Sequence, residues 1–133
     1  MSGQEQIKTG AVHHATLTVT DVQRTSQLYT GALGFQVAAE LGPRVLLSNG
    51  SVIIALAPAP ADGDRFDETR VGLDHLSFSV ASRAELDQAV RVLDAHGVPH
   101  GDVTELGALG IAILAFRDPD NIQLELTAPL NQG

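Results

Sequence analysis

Two histidines in this sequence occupy the same position of a repeated segment, and their side chains are ones that bind metal ions or transfer protons. His14 lies in residues 12–19 and His75 in residues 73–80, and the two segments match in pattern at an offset of 61. Both segments alternate apolar and polar residues, which is typical of a half-buried β-strand. The repeat therefore predicts two equivalent strands, each with an imidazole at the same place.

Strand parity assigns these histidines to a polar face. Side chains alternate across a strand, so His14 shares its face with Thr16, and His75 shares its face with Ser77. In the last predicted strand, Glu125 lies on the polar face together with Gln123. Three strands are thus expected to present two imidazoles and one carboxylate on a side of the sheet that no helix covers.

Two neutral imidazoles and one carboxylate, with positions left for water or substrate, form a ligand set that suits Fe(II), Mn(II) or a similar divalent ion. A simpler interpretation treats the same three residues as hydrogen-bonded or exposed strand residues. Duplication of one unit also explains paired histidines without chemistry. From the residues alone, both interpretations stay open.

The surrounding sequence predicts the elements that position these residues. Each repeated strand is followed by a hydroxyl residue, Thr20 or Ser82, with Gln or Glu three residues later, a pattern typical of a helix N-terminus. The helices are expected to end near Gly34 and Gly97, where a left-handed residue closes the last turn. Three short strands are predicted after each helix, at 35–41, 44–48, 51–57, 99–105, 111–116 and 122–128.

The unit is therefore βαβββ, present twice, and the predicted fold class is α+β. A single such unit would leave one face of its sheet uncovered, so we expect one bipartite domain over residues 11–128. Its predicted parts are module one at 11–58, a linker at 59–71, module two at 72–128, and tails at 1–10 and 129–133. The charged end of the linker is expected to be a solvated surface.

Composition excludes several classes of function. Eight basic and sixteen acidic residues give a formal charge of −8, which disfavours nucleic acid and anionic membranes as partners. The absence of cysteine excludes disulfides, thiolate metal sites and thiol nucleophiles. The polar start of the sequence does not resemble a secretory signal, so we expect a cytoplasmic protein with a small-molecule substrate.

The sequence resembles the vicinal oxygen chelate superfamily, which includes glyoxalase I, extradiol dioxygenases, and the fosfomycin and bleomycin resistance proteins. The resemblance rests on HATLTV (14–19), LYTGALGF (28–35), GLDH (72–75), and DPD with LEL (118–126). It implies paired βαβββ modules whose curled mixed sheets enclose a central cavity, often in a homodimer. It also implies His14, His75 and Glu125 as ligands of a divalent ion (Fe, Mn, Ni or Zn), with Glu125 as the catalytic carboxylate.

The resemblance leaves the reaction open. Alignment of the two modules at Pro58 and Pro129 places Ile54 opposite Glu125, so the second glutamate of glyoxalase I is missing. The expected substrate pocket consists of Thr16, Ile54, Ser77 and Gln123. The leading interpretation is a metal-dependent lyase, isomerase, epoxide-opening enzyme or dioxygenase that stabilises an enolate or alkoxide. Its alternatives are a metal-free binding protein that sequesters a cationic small molecule, like the bleomycin resistance proteins, and a metal-binding protein without catalysis.

Overall fold

The computed structural model describes residues 5–130, so the predicted tails at 1–10 and 129–133 lie partly outside the described residues. The elements of the first module are β1 (His14–Val19), α1 (Val22–Gly31), β2 (Gln36–Leu41), β3 (Arg44–Ser48) and β4 (Ile53–Pro58). Those of the second are β5 (Leu76–Ser79), α2 (Arg83–Ala95), β6 (Thr104–Leu106), a 3-10 turn (Gly107–Leu109), β7 (Ile111–Arg117) and β8 (Gln123–Pro129). No helix within 5–130 has both the length and the apolar character needed to cross a membrane.

Each module forms one mixed four-stranded sheet. The strand orders are β1-β4-β3-β2 and β5-β8-β7-β6, so the first strand of each module is an edge strand. That strand pairs in parallel with the last strand of its module, and the remaining pairs are antiparallel. The predicted α+β class with two βαβββ units is confirmed. Two strands differ from prediction. β5 begins at Leu76, so His75 directly precedes the strand. β6 spans only three residues, and His100 forms an isolated bridge to Phe116 ahead of it.

The core lies between each sheet and its helix. Helix α1 packs on β2, β3 and β4, and α2 packs on β7 and β8. Tyr29 and Phe35 of the first module contact Phe78 of the second, with ring centroids 6.3 and 5.4 Å apart in edge-on arrangements. Aromatic pairs of this kind stabilise by about 0.5 to 1.5 kcal/mol beyond their burial. The two modules of one chain therefore share part of one hydrophobic core.

The start of α1 differs from the predicted cap. Asp21 caps the helix by accepting a hydrogen bond from the Arg24 backbone N–H at 3.2 Å. Thr20, the expected cap, instead donates its backbone N–H and its hydroxyl to Asp120, at 3.0 and 2.5 Å. Since Asp120 is buried, its carboxylate requires donors. Thr20 therefore links the first module to the turn that precedes β8.

The expected position of Ile54 in a substrate pocket is wrong. In the parallel pairing of β1 with β4, Ala15 is opposite Ile54 and Thr16 is opposite Ala55. Ile54 is fully buried in the core, on the face that α1 covers. Ser77 pairs with Glu125 in the second module, so the residue equivalent to Glu125 is Ala55.

The cause of this error is a shift of one residue between the modules. Thr18 pairs with Ala57 and Ser79 pairs with Thr127, so Pro58 corresponds to Ala128 and β8 is one residue longer at its end. A shift of one residue moves every side chain of a strand to the opposite face. The second glutamate is still absent, because alanine occupies its position.

Candidate metal site

His75 and Glu125 lie together at the edge of the second sheet. The His75 Nε2 and Glu125 Oε1 atoms are 3.6 Å apart, and the two side chains are 40% and 14% exposed. Two ligand atoms that bind one ion at about 2.1 Å each lie about 3 Å apart. A small side-chain adjustment would therefore let this imidazole and this carboxylate share a divalent ion.

Asp74 orients the His75 ring. The His75 Nδ1 atom is 2.8 Å from Asp74 Oδ1. A neutral imidazole that donates from Nδ1 keeps its lone pair on Nε2, which is the atom that faces Glu125. The other ring nitrogen of a metal-binding histidine almost always donates to a carboxylate, a backbone carbonyl or water. The arrangement thus leaves Nε2, on the side of Glu125, without a bonded partner other than that carboxylate.

A chain of polar contacts extends from Asp74 away from the histidine. Gln123 donates its amide N–H to Asp74 Oδ1 at 3.0 Å and accepts from Arg117 at 3.2 Å. The Arg117 guanidinium also forms two hydrogen bonds of 2.9 Å with Glu68. These bonds from Arg117 lower the pKa of Glu68 to about 2, so this carboxylate stays ionised. The chain fixes the Gln123 amide, with its oxygen toward Arg117 and its nitrogen toward Asp74.

Most of this chain of contacts is not predictable from the sequence. Glu68 belongs to the charge run that was expected to be solvated, and Arg117 lies 49 residues away from it. Asp74 belongs to the GLDH motif (72–75) and directly precedes His75. No periodicity or spacing connects residues that meet only when the linker folds over β7. The position of Asp74 next to a candidate ligand was the one available signal.

Two hydroxyl groups lie near the Glu125 carboxylate, and one of them contacts it. The Ser77 and Thr127 side-chain oxygens are 2.6 Å apart, and the Thr127 hydroxyl donates to Glu125 Oε1 at 3.3 Å. Thr16 is exposed on the corresponding face of the first sheet. Ser77 and Gln123, both predicted to line the pocket, therefore lie beside the His75–Glu125 pair, whereas Thr16 lies on the other sheet.

His14 lies apart from this pair within one chain. It is exposed at the start of β1, and its Nδ1 atom is 2.9 Å from the Nδ1 of His13. Within residues 5–130, no three His, Cys, Asp or Glu side chains are close enough to hold one ion. The fold thus assembles two of the three predicted ligands and leaves His14 on the exposed face of another edge strand.

Comparison with known proteins gives a consistent set of relatives. Residues 11–126 match the Glyoxalase/Bleomycin resistance protein/Dioxygenase superfamily. The uncharacterized protein YwkD of Bacillus subtilis is 33% identical over 126 residues, which cover 87% of this chain and 94% of YwkD. The catechol-2,3-dioxygenase of Bacillus subtilis is 29% identical over 121 residues, which cover 88% of this chain and 41% of that enzyme.

Among solved structures, the chain is similar to a glyoxylase/bleomycin resistance protein/dioxygenase domain from Frankia sp. EAN1pec. The TM-score is 0.79 and the sequence identity 34%, with 96% of each chain covered.

Proposed function

Because the chain belongs to the Glyoxalase/Bleomycin resistance protein/Dioxygenase superfamily, we propose that it is a divalent-metal-dependent enzyme that acts on an oxygen-bearing small molecule. The observation that carries the proposal is the His75–Glu125 pair, whose Nε2 and Oε1 atoms are 3.6 Å apart. The hydrogen bond from His75 to Asp74 supports it, since it leaves Nε2 free as a ligand.

The third protein ligand in this proposal is His14 of a second copy of the chain. His14 and His75 occupy equivalent positions of the repeat, yet one chain does not bring three candidate ligands together within residues 5–130. His14 is exposed and begins an edge strand, where another copy can approach it. A two-fold dimer would form two identical sites, each with the His75–Glu125 pair of one copy and His14 of the other.

A bound divalent ion would supply Lewis acidity toward a substrate oxygen that develops negative charge. Residues around the proposed site would orient its two ligands, His75 and Glu125. Asp74 holds the His75 ring in one orientation, and the Thr127 hydroxyl donates to Glu125. In this proposal, the exposed Ser77 hydroxyl, which lies next to Thr127, binds a polar group of the substrate.

The position equivalent to Glu125 favours one group of reactions over another. A glyoxalase I reaction uses a second glutamate there to move a substrate proton, and this chain has Ala55. A site with one protein carboxylate favours epoxide opening or oxygen addition, which do not require a base at that position. The similarity to a catechol-2,3-dioxygenase agrees with this preference.

Metal stoichiometry tests the proposal. Purified protein is loaded separately with Fe(II), Mn(II), Ni(II) and Zn(II), and the bound metal is measured by elemental analysis after exchange into buffer. We expect about one ion per chain for the preferred metal, and loss of that ion in His14→Ala and in His75→Ala. His96→Ala serves as the matched control. Failure of all four metals to bind would refute a metal-dependent enzyme.

Mixing the two variants tests the second copy. When His14→Ala and His75→Ala chains are co-folded, each mixed dimer contains one intact site, formed by His75 and Glu125 of the His14→Ala chain and by His14 of the His75→Ala chain. The other site of the same dimer carries both substitutions. Metal binding should therefore return in the mixture, although neither variant binds alone. If wild-type protein binds metal and the mixture does not, the site lies within one chain and the shared-site proposal is wrong.

A metal-free binding protein for cationic small molecules is the second candidate. The net charge of −8 favours it, and the superfamily includes bleomycin resistance proteins. Calorimetric titration with bleomycin in the presence of a chelator distinguishes the two candidates. Tight binding without metal, retained in His75→Ala, would favour sequestration over catalysis.

A further inference from the structure

A second concave site lies away from the His75–Glu125 pair. A cleft of about 590 Å³ is bounded by α1, the linker, the loop after α2 and the turn between β7 and β8. Its volume falls within the range of small-molecule sites, about 300 to 1,000 Å³. None of the candidate metal ligands lines it. The cleft therefore needs an explanation separate from the proposed metal chemistry.

The cleft concentrates positive charge in an acidic protein. The chain has only eight basic residues, and three of them, Arg24, Arg65 and Arg117, line this cleft. The guanidinium of Arg117 is bound by Glu68. Within residues 5–130, the guanidinium groups of Arg24 and Arg65 make no ion pair and no hydrogen bond. Two arginines are thus available to an external anion.

Acidic charge at the cleft is limited to one buried side chain. Asp118 is 5% exposed, and its Oδ1 atom accepts backbone hydrogen bonds from Asp120 and Ile122, both at 2.8 Å. It forms no ion pair with Arg24. The Arg24 guanidinium therefore keeps its donors free, although the carboxylate is near enough to influence it electrostatically.

Apolar side chains complete the lining and indicate an organic ligand. Leu28, Val98, Pro99 and Pro119 lie among the charged groups, and His96 lies at the end of α2. Arginine donors in a forked geometry match carboxylate and phosphate oxygens. We propose that the cleft binds a small organic anion, a carboxylate or a phosphate ester, through Arg24 and Arg65.

An NMR titration of the ¹⁵N-labelled full chain tests this proposal. The probes are phenyl phosphate, benzoate and inorganic phosphate at constant ionic strength, each added to zinc-treated protein and to chelator-treated protein. We expect shifts at the amides of Arg24, Gln27, His96 and Asn121, and no equivalent shifts next to His75. The two organic probes should bind more tightly than inorganic phosphate, because only they contact the apolar lining.

Matched substitutions separate a site from general charge. Arg24→Gln and Arg65→Gln should each weaken binding of the better organic probe about tenfold or more, since each removes a charge-assisted contact. Arg91→Gln removes the same charge from an exposed position of α2 outside the cleft and should leave affinity unchanged. The proposal is overturned if all three variants bind alike, or if the shifts spread over the surface or occur only near His75.

Discussion

Replacement of Asp118 by asparagine should remove a pH-dependent part of the stability of this protein. Burial raises the pKa of this carboxyl from an ordinary 3.8 to about 6, against the opposing effect of two backbone hydrogen bonds. The side chain is 5% exposed, so solvent screens it little. Because asparagine keeps an oxygen for those two hydrogen bonds and does not titrate, the variant isolates the ionisation.

The size and sign of the effect follow from the two pKa values. Between pH 3.8 and about 6 the unfolded chain releases this proton while the folded chain retains it. The free energy of unfolding therefore falls as the pH rises through this window, by up to about 3 kcal/mol from this one group. Glu68 contributes with the opposite sign, because its lowered pKa stabilises the fold above its ordinary value of 4.5.

Urea unfolding followed by circular dichroism, at pH steps from 3.5 to 7, measures this effect. The informative quantity is the free energy of unfolding of the wild type minus that of Asp118→Asn, in which the effect of Glu68 cancels. We expect this difference to fall by about 3 kcal/mol across the series. Asp62→Asn, at an exposed position, is the matched control. A difference that stays flat with pH would refute the assigned ionisation.

Two further predictions concern the candidate site and the strand that was assigned to the wrong face. Asp74→Ala removes the carboxylate that orients His75 and should weaken divalent metal binding about 10- to 100-fold, measured by competition with a chromogenic chelator. The exposed Asp102→Ala is its control, and equal affinities in the two variants would contradict an orienting role. Ile54→Ala should lower the free energy of unfolding by about 2 to 5 kcal/mol because it empties a fully buried position. Ile53→Ala, at a half-buried position on the opposite face of the same strand, should lower the free energy of unfolding clearly less. A larger effect at Ile53 than at Ile54 would favour the predicted strand face, with Ile54 in the substrate pocket.

Much of the fold was predictable from local pattern. The duplicated strand pattern around His14 and His75 predicted two equivalent units, and glycines after the helices marked where the chain turns. Gly97 has φ of +68° directly after the α2 cap, the left-handed conformation that glycine adopts easily. The alternation of apolar and polar residues and the turn residues are local features, so they can be recognised in the sequence without the structure.

Strand parity predicts the correct face of a strand where its pairing partner does not need to be known. It placed Glu125 and Ser77 on one face, and the structure pairs these two residues directly. It failed for Ile54, because the face of β4 depends on its register with β1, and the proline used for alignment is displaced by one residue. Register is set by packing between neighbouring strands, so the sequence of one strand does not determine it.

By itself, the sequence determined the repeat, the α+β class and the residues available for chemistry, since these depend on residue types and their local alternation. Tertiary structure decided which of those residues meet. It brought His75 to Glu125, folded Glu68 of the linker onto Arg117, and grouped Arg24 with Arg65 around a cleft. Each of these contacts joins segments far apart in the chain, and their positions are fixed by how sheets, helices and linker pack together.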